Sequence, residues 1–241
     1  MSVEIGRIES LFRYPVKSMA GEALDAAELG SHGIDGDRRF ALRRTNVQTG
    51  FPWLTASKLP ELLLFKPVRL DNSQSALPTH VRTPDGAELP VGSDALAEEI
   101  GRRHGEPVAM MQIDEGIFDD SVISMIASST VEEIGNLTGL SSDVRRFRPN
   151  VFVRLAQPAP FQEVEWVGHT LTFGDGDDAP SVRVTAEDVR CSMVNLDPDS
   201  AASAPEVLKA VARVNRNCAG IYGAVTRPGR LAVGQAVRLH R

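Results

Sequence analysis

The chain has 241 residues, 42 % apolar and 24 % charged, with a net charge of −6. That is enough for one large or two small domains with a sizeable core, in the proportions of an ordinary globular protein. The acidic balance argues against a nucleic-acid or membrane-surface role, both of which need a positive field. No apolar run approaches the roughly 18 residues of a membrane-spanning helix, and MSVEIGRIESLF lacks the basic and apolar regions of a signal peptide. The cytosol is therefore the expected compartment, and a disulfide between Cys191 and Cys218, the two cysteines, is not expected there.

Val3–Arg13 reads as a strand, and Arg39–Arg44 as a short one followed by a polar turn at Asn46–Gly50. The apolar run Leu62–Leu70 suits a buried strand, and His80–Thr83 and Glu88–Val91 flank the turn Pro84-Asp85-Gly86. Ser93 caps a predicted helix with Leu96, Ala97 and Ile100 on one face, ending near Gly105. Pro107–Ile113 is a further strand. Two capping boxes follow: Ser129-Thr130-Val131-Glu132, opening a helix that stops near Gly139, and Ser203-Ala204-Pro205-Glu206, with Val207, Leu208, Val211 and Val214 at helical spacing. Between and after them, Asn150–Leu155, Glu163–Phe173, Ser181–Glu187, Gly220–Thr226 and Leu231–Leu239 read as strands, the last two joined by Arg227-Pro228-Gly229-Arg230. Strands outnumber helices without alternating with them, which excludes a doubly wound α/β fold. A mainly β protein with a few helices is expected, in two barrel-like parts covering residues 1–115 and 116–241.

Familiar catalytic patterns are missing. Gly174-Asp175-Gly176-Asp177-Asp178-Ala179 imitates a dinucleotide fingerprint, but three aspartates would repel a pyrophosphate, so an acidic surface turn is expected. The chain has no nucleophile elbow, no Walker-type loop and no paired histidines, and two cysteines cannot build an all-cysteine zinc site or an ordinary iron–sulfur cluster.

Five segments concentrate polar groups where plain loops would suffice: Tyr14-Pro15-Val16-Lys17-Ser18, Gly36-Asp37-Arg38-Arg39-Phe40, Arg146-Phe147-Arg148-Pro149-Asn150, Arg190-Cys191-Ser192-Met193 and Gly220-Ile221-Tyr222-Gly223. Each alone has a bland explanation, Cys191 as an ordinary buried thiol included. In this order, however, they resemble the MOSC family, named for the C-terminal domain of molybdenum-cofactor sulfurase, and within it the amidoxime-reducing proteins and their bacterial counterparts. YPVKSMAG and GIDGDRRFAL resemble the family's N-terminal β-barrel domain. RFRPNVFV, EVEWVGHTLTFGD, RCSMVNLDPDS and YGAVTRPGRLAVGQAVRL resemble the MOSC β-barrel domain itself.

The resemblance implies a molybdenum–molybdopterin cofactor, with Cys191 as the protein's thiolate ligand to the metal. Lys17, Ser18 and Arg38 match cofactor-contacting positions of the N-terminal domain; Arg148, Asn150, Arg190 and Tyr222 match those of the MOSC domain. The chemistry agrees, because arginine offers phosphate a planar fork, lysine a point charge, and asparagine both a donor and an acceptor for a pterin edge. Ser121 is the candidate from a further, loosely matching loop. Position 39 adds a second arginine and leaves open which of Arg38 and Arg39 reaches the phosphate. Val189 stands where some relatives carry a hydroxyl, and Cys218, outside the motifs, is read as structural. Asp197 in the LDPD turn is a candidate supporting group at the catalytic centre, or equally a turn cap.

The activity implied is two-electron oxygen-atom transfer that reduces hydroxylamines, amidoximes and other N-hydroxylated compounds. With no flavin, nicotinamide or iron–sulfur signature, the electrons are expected from a separate ferredoxin- or flavin-type reductase. The competing expectation is a sulfur-transfer or molybdopterin carrier protein without turnover. Pyridoxal phosphate enters only as an association of the superfamily, since the usual domain for it is absent.

Overall fold

The computed structural model describes residues 2–48, 50–73 and 75–241. Sixteen strands and three α-helices follow one another along them. Before the first helix lie β1 (Ser2–Arg13), β2 (Glu22–Leu24), β3 (Ala26–Gly30), β4 (Gly33–Ile34), β5 (Phe40–Arg44), β6 (Lys66–Val68), β7 (His80–Arg82) and β8 (Glu88–Pro90). Helix α1 (Asp94–His104) leads to β9 (Val108–Gln112) and β10 (Ile123–Ala127), then α2 (Ser128–Thr138), β11 (Val151–Leu155), β12 (Thr170–Phe173) and β13 (Ser181–Val189). Helix α3 (Glu206–Asn215), β14 (Cys218–Arg227), β15 (Gly229–Ala232) and β16 (Ala236–His240) complete the chain.

Seven strands close into a barrel in the order β11-β10-β14-β13-β12-β16-β1, with β1 pairing back onto β11. Closure leaves the barrel proper no free edge. All the neighbours are antiparallel except β10 and β11, which are parallel and joined through α2, as a parallel pair requires. Ile8, Leu11, Met125, Val153, Leu171, Val182, Ile221 and Leu239 fill the interior. Smaller sheets, β15-β3-β4, β5-β9 and β6-β7-β8, complete the fold. A second core of Val16, Phe40, Leu54, Leu62, Phe65 and Leu96 holds the first half together. A third packs α2 and α3 around Ile126, Phe147 and Ala219. The mainly β architecture with few helices is as expected. A boundary at 115/116 falls in the loop between β9 and β10, while β1, from the start of the chain, is a stave of the barrel that the second half builds.

Local geometry corrects several expected elements. Over Leu62–Leu70 only Lys66–Val68 is a strand; Pro60–Leu64 is a 3-10 turn, entered through a proline and burying Leu62 and Leu63. Similarly, Gln162–Trp166 is a 3-10 turn that buries Glu163 and Trp166, and Gly168, with φ 85°, separates it from β12. Leu231–Leu239 divides at Gly234 into β15, paired with β3, and β16, in the barrel. Residues 227–230 therefore turn the chain between sheets and make no hairpin. The polar turn at Asn46–Gly50 includes Thr49, outside the described residues. Ser93 caps α1 as expected, accepting from the Leu96 amide. Neither capping box forms, however, since Ser129 Oγ donates to the Ala159 carbonyl and α3 has no cap of its own. The acidic turn 174–179 joins two strands, β12 and β13, and its Asp175 pairs with Arg238.

Candidate functional site

A cavity of about 380 Å³ opens where the two halves meet, within the range of ordinary small-molecule sites. Lys17, Ser18 and Arg38 line it from the first half. Arg148, Arg190, Cys191 and Tyr222 line it from the second. Seven of the ten residues singled out in the sequence thus meet in one place. Five basic side chains (Lys17, Arg38, Arg146, Arg148, Arg190) face two carboxylates, Asp119 and Asp188. In a chain of net charge −6, that local excess marks a pocket for an anion.

The backbone sets this constellation at a cost. Ser18, Arg38 and Arg148 have φ of 68°, 50° and 51°, a left-handed conformation that costs an L-residue about 1–3 kcal/mol and clusters at functional sites. The fold over-determines each one. The Lys17 amide donates to the Phe40 carbonyl and the Arg38 amide to the Tyr14 carbonyl. Asp37, fully buried, accepts from the Tyr14 amide and pairs with Arg38. Tyr14 lies beneath both guanidiniums, 4.2 Å from Arg148 and 5.1 Å from Arg38.

The cations are buried more deeply than they are satisfied. Arg148 Nη1 donates to the Met19 carbonyl, while its Nη2 is buried without a partner. Burial, with Arg38 beside it, pulls this guanidinium down to about 10. Lys17 is 4 % exposed and lies 2.7 Å from Asp119 Oδ1; burial lowers its ammonium even so. Arg190 Nε donates to the Ala219 carbonyl and Nη1 to the Phe147 carbonyl, and its guanidinium lies over the Phe147 ring. At Gly220 an added Cβ would sit 2.7 Å from the Met125 carbonyl and 3.0 Å from Arg190 Nη2, so a side chain there would displace the arginine. Arg38 meets the cavity, whereas Arg39 turns to the Asp114 carbonyl.

Cys191 is exposed at the cavity wall and Cys218 is buried in β14; both are free thiols. Burial pushes the Cys218 thiol up to about 11, which suits an inert structural role. Val189, 66 % exposed, gives the rim an apolar surface.

Three candidates stand outside the cavity wall. Asn150 is 1 % exposed and acts as an internal post: Oδ1 accepts from the Ser124 amide and Nδ2 donates to the Phe12 carbonyl. Ser121 Oγ donates to the Gly223 carbonyl, pinning the loop before β10 to β14. Asp197 caps its own turn, accepting from the Ser200 hydroxyl and amide, and its Oδ2 receives Arg146 Nη2 at 2.9 Å. Desolvation pushes the Asp197 carboxyl up, but these donors outweigh it and hold it below the ordinary carboxylate value. It meets the cavity only through Arg146.

Asp119 and Asp188 were not singled out, and Arg146 only as the first residue of its segment, without a role. The first two carried no motif. Asp188 is buried on β13, but the register of β13 against β14 shifts between Val184 and Ala186 and again between Glu187 and Val189, so simple alternation along the strand does not place it.

The donor set fits a phosphorylated pterin. Buried guanidiniums with an unpartnered N–H need an anion, and the exposed thiol offers one soft ligand. Among the described residues no group of three His, Cys, Asp or Glu converges to hold a metal, so an ion at Cys191 would bring its other ligands with a cofactor.

Comparison with known proteins identifies the family. Residues 100–238 match the family model of the MOSC domain, and residues 5–112 that of the MOSC N-terminal beta barrel domain. The chain belongs to the MOSC domain family. Among solved structures, the YuaD protein from Bacillus subtilis is 17 % identical and superposes over 100 % of this chain and 96 % of that one, with a TM-score of 0.53, a likeness of fold. YiiM from Geobacillus stearothermophilus (18 % identity, 51 % of this chain and 56 % of that one, TM-score 0.39) and YiiM from Escherichia coli (14 %, 53 % and 58 %, 0.37) are more distant. A search of curated proteins gives no match. No helix is long and apolar enough to cross a membrane among the described residues.

Proposed function

We propose that this protein binds a molybdenum–molybdopterin cofactor in the cavity between its halves and reduces N-hydroxylated compounds, with electrons from a separate ferredoxin- or flavin-type reductase. The observation that carries this reading is the basic cluster of Lys17, Arg38, Arg148 and Arg190, in which Arg148 and Arg190 each keep an Nη2 without a hydrogen-bond partner, facing the same cavity as an exposed thiol, Cys191. The cations would hold the phosphate, and Tyr222 would close the wall beside the pterin. Cys191 would supply the protein's ligand to the metal. When bound, the cofactor supplies two-electron transfer of an oxygen atom from an N–O bond. The protein's own share is to bind and orient cofactor and substrate and to manage protons around them.

Exposure of Cys191 also suits a second reading, a persulfide-bearing or cofactor-delivering protein without turnover. The deciding experiment measures molybdenum and pterin in wild type and Cys191→Ser made in a cofactor-competent host, then reduction of an amidoxime by the loaded protein with a ferredoxin-type donor. Near-stoichiometric molybdenum, lost on substitution, together with amidoxime turnover supports the enzyme. Pterin retained without turnover, or a cyanide-labile sulfur on Cys191, overturns it in favour of the carrier or the sulfur relay.

A further inference from the structure

Asp188 is a carboxyl that neither phosphate binding nor metal ligation employs. It is 2 % exposed, yet it lines the cavity three residues ahead of Cys191. Its Oδ2 lies 2.7 Å from Arg190 Nη2, but the angle is not that of a directed hydrogen bond and neither atom has another partner. Burial pushes the carboxyl up to about 6; Arg190, the Tyr222 hydroxyl and Arg38 pull it down, and Asp119 pushes it further up. Cys218, on β14, is the remaining titratable group that feels its charge. The wall of the site therefore holds a carboxyl whose proton affinity burial raises, with Oδ2 ion-paired to Arg190 but outside any directed hydrogen bond.

The proposed reaction needs such a group. Reduction of a hydroxylamine balances as R–NH–OH + 2 e⁻ + 2 H⁺ → R–NH₂ + H₂O. The N–O bond breaks, both electrons come through the cofactor from the iron–sulfur or flavin reductase, and both protons come ultimately from water. Arginines remain protonated, and Lys17 is committed to Asp119. Resting on the function proposed above, we infer that Asp188 is the cavity's proton donor, passing its proton to the departing oxygen and recovering one from solvent. The neighbouring Arg190 then stabilises the carboxylate left behind.

The test uses cofactor-loaded wild type, Asp188→Asn and Asp188→Glu. Asparagine keeps the shape and the hydrogen-bonding edge but cannot cede a proton. Asp188→Asn is expected to retain molybdenum and pterin at wild-type stoichiometry while kcat falls roughly 100-fold, the ordinary scale of general acid catalysis. Wild-type kcat should decline as pH rises through about 6 and above, that decline should vanish in Asp188→Asn, and Asp188→Glu should recover part of both. Independently of turnover, difference infrared spectra of the cofactor-free protein should show a protonated-carboxyl band titrating near that pH and absent from Asp188→Asn. Wild-type kcat and pH profile in Asp188→Asn, or no such band, would overturn the inference and leave the proposed function standing. Loss of molybdenum from Asp188→Asn would also overturn it, reducing Asp188 to a support for Arg190. A loaded wild type that reduces no N-hydroxylated compound fails the proposed function first and the inference with it.

Discussion

Arg148 joins three costs in one residue: a positive φ of 51°, a desolvated guanidinium, and an Nη2 donor with no acceptor. An incoming anion offsets the last two, because a charge-assisted bond to a desolvated guanidinium is worth about 1.5–3 kcal/mol. Arg148→Gln is accordingly expected to weaken binding of pyrophosphate to the cofactor-free protein by about 10- to 100-fold, read by titration calorimetry, while far-ultraviolet dichroism is unchanged. Asp188 makes the complementary prediction for stability. Its folded-state value of about 6 lies above the ordinary carboxylate value, so its favourable contribution is present at acid pH and is lost as pH rises through about 6. At about 1.4 kcal/mol per decade of proton affinity, the full swing is about 3 kcal/mol. The thermal midpoint of the wild type should therefore fall between about pH 4 and 6 more than that of Asp188→Asn. Equal slopes in scanning calorimetry would sink the assignment.

At the scale of elements, the sequence showed which segments are helical better than it showed what caps them. Alternation and turn residues exposed most of the barrel strands, and Ser93 capped α1 as read. Serines 129 and 203 misled because capping-box spacing is local, whereas the donors at these helix ends are met from a distance. At α3 the Leu208 amide donates to Asn195 Oδ1, and at α2 the Thr130 hydroxyl is taken up by Glu163, wholly buried, rather than by the helix. Asn150 and Ser121 lie off the cavity wall, since a polar side chain in a motif does not disclose whether it faces a cavity or another strand. Lys17, Arg38, Arg148, Arg190 and Tyr222 do line the cavity, since a long charged or ring side chain reaches a cavity from a loop or strand end more readily than a short amide or hydroxyl. Asn195→Ala removes the α3 cap, and the cost expected from capping data is about 1 kcal/mol, measurable as a lower urea midpoint at unchanged m-value. The Arg146 contact to the Asn195 backbone carbonyl, with Asp197 on the same guanidinium, should survive, so pyrophosphate binding should stay at the wild-type level.

Viewed as a whole molecule, the site exists because the chain begins inside the barrel that it later completes. Strand β1 bridges β16 and β11; the chain leaves it through Lys17 and Ser18 and returns as β2, which pairs with the far end of β1. The register is tight at Gly6, where an added Cβ would sit 2.1 Å from the Arg154 carbonyl oxygen. Gly6→Ala must therefore push β1 away from β11, at an overpacking cost of about 1–3 kcal/mol. Because β1 runs on directly into the Lys17–Ser18 turn, the displacement should also weaken pyrophosphate binding, which Asn195→Ala should not. Removal of the first half makes a stronger test of the same connection. A fragment of residues 116–241 would contain six of the seven staves but leave β11 and β16 with unpaired edges, a template for association with other chains. Such a fragment should lack a cooperative thermal transition and sediment as aggregates, and adding a peptide of residues 1–13 should restore part of the fold. A monomeric fragment that melts cooperatively without the peptide would show that the second half closes by another pairing, and the continuity from barrel to anion site would then be lost.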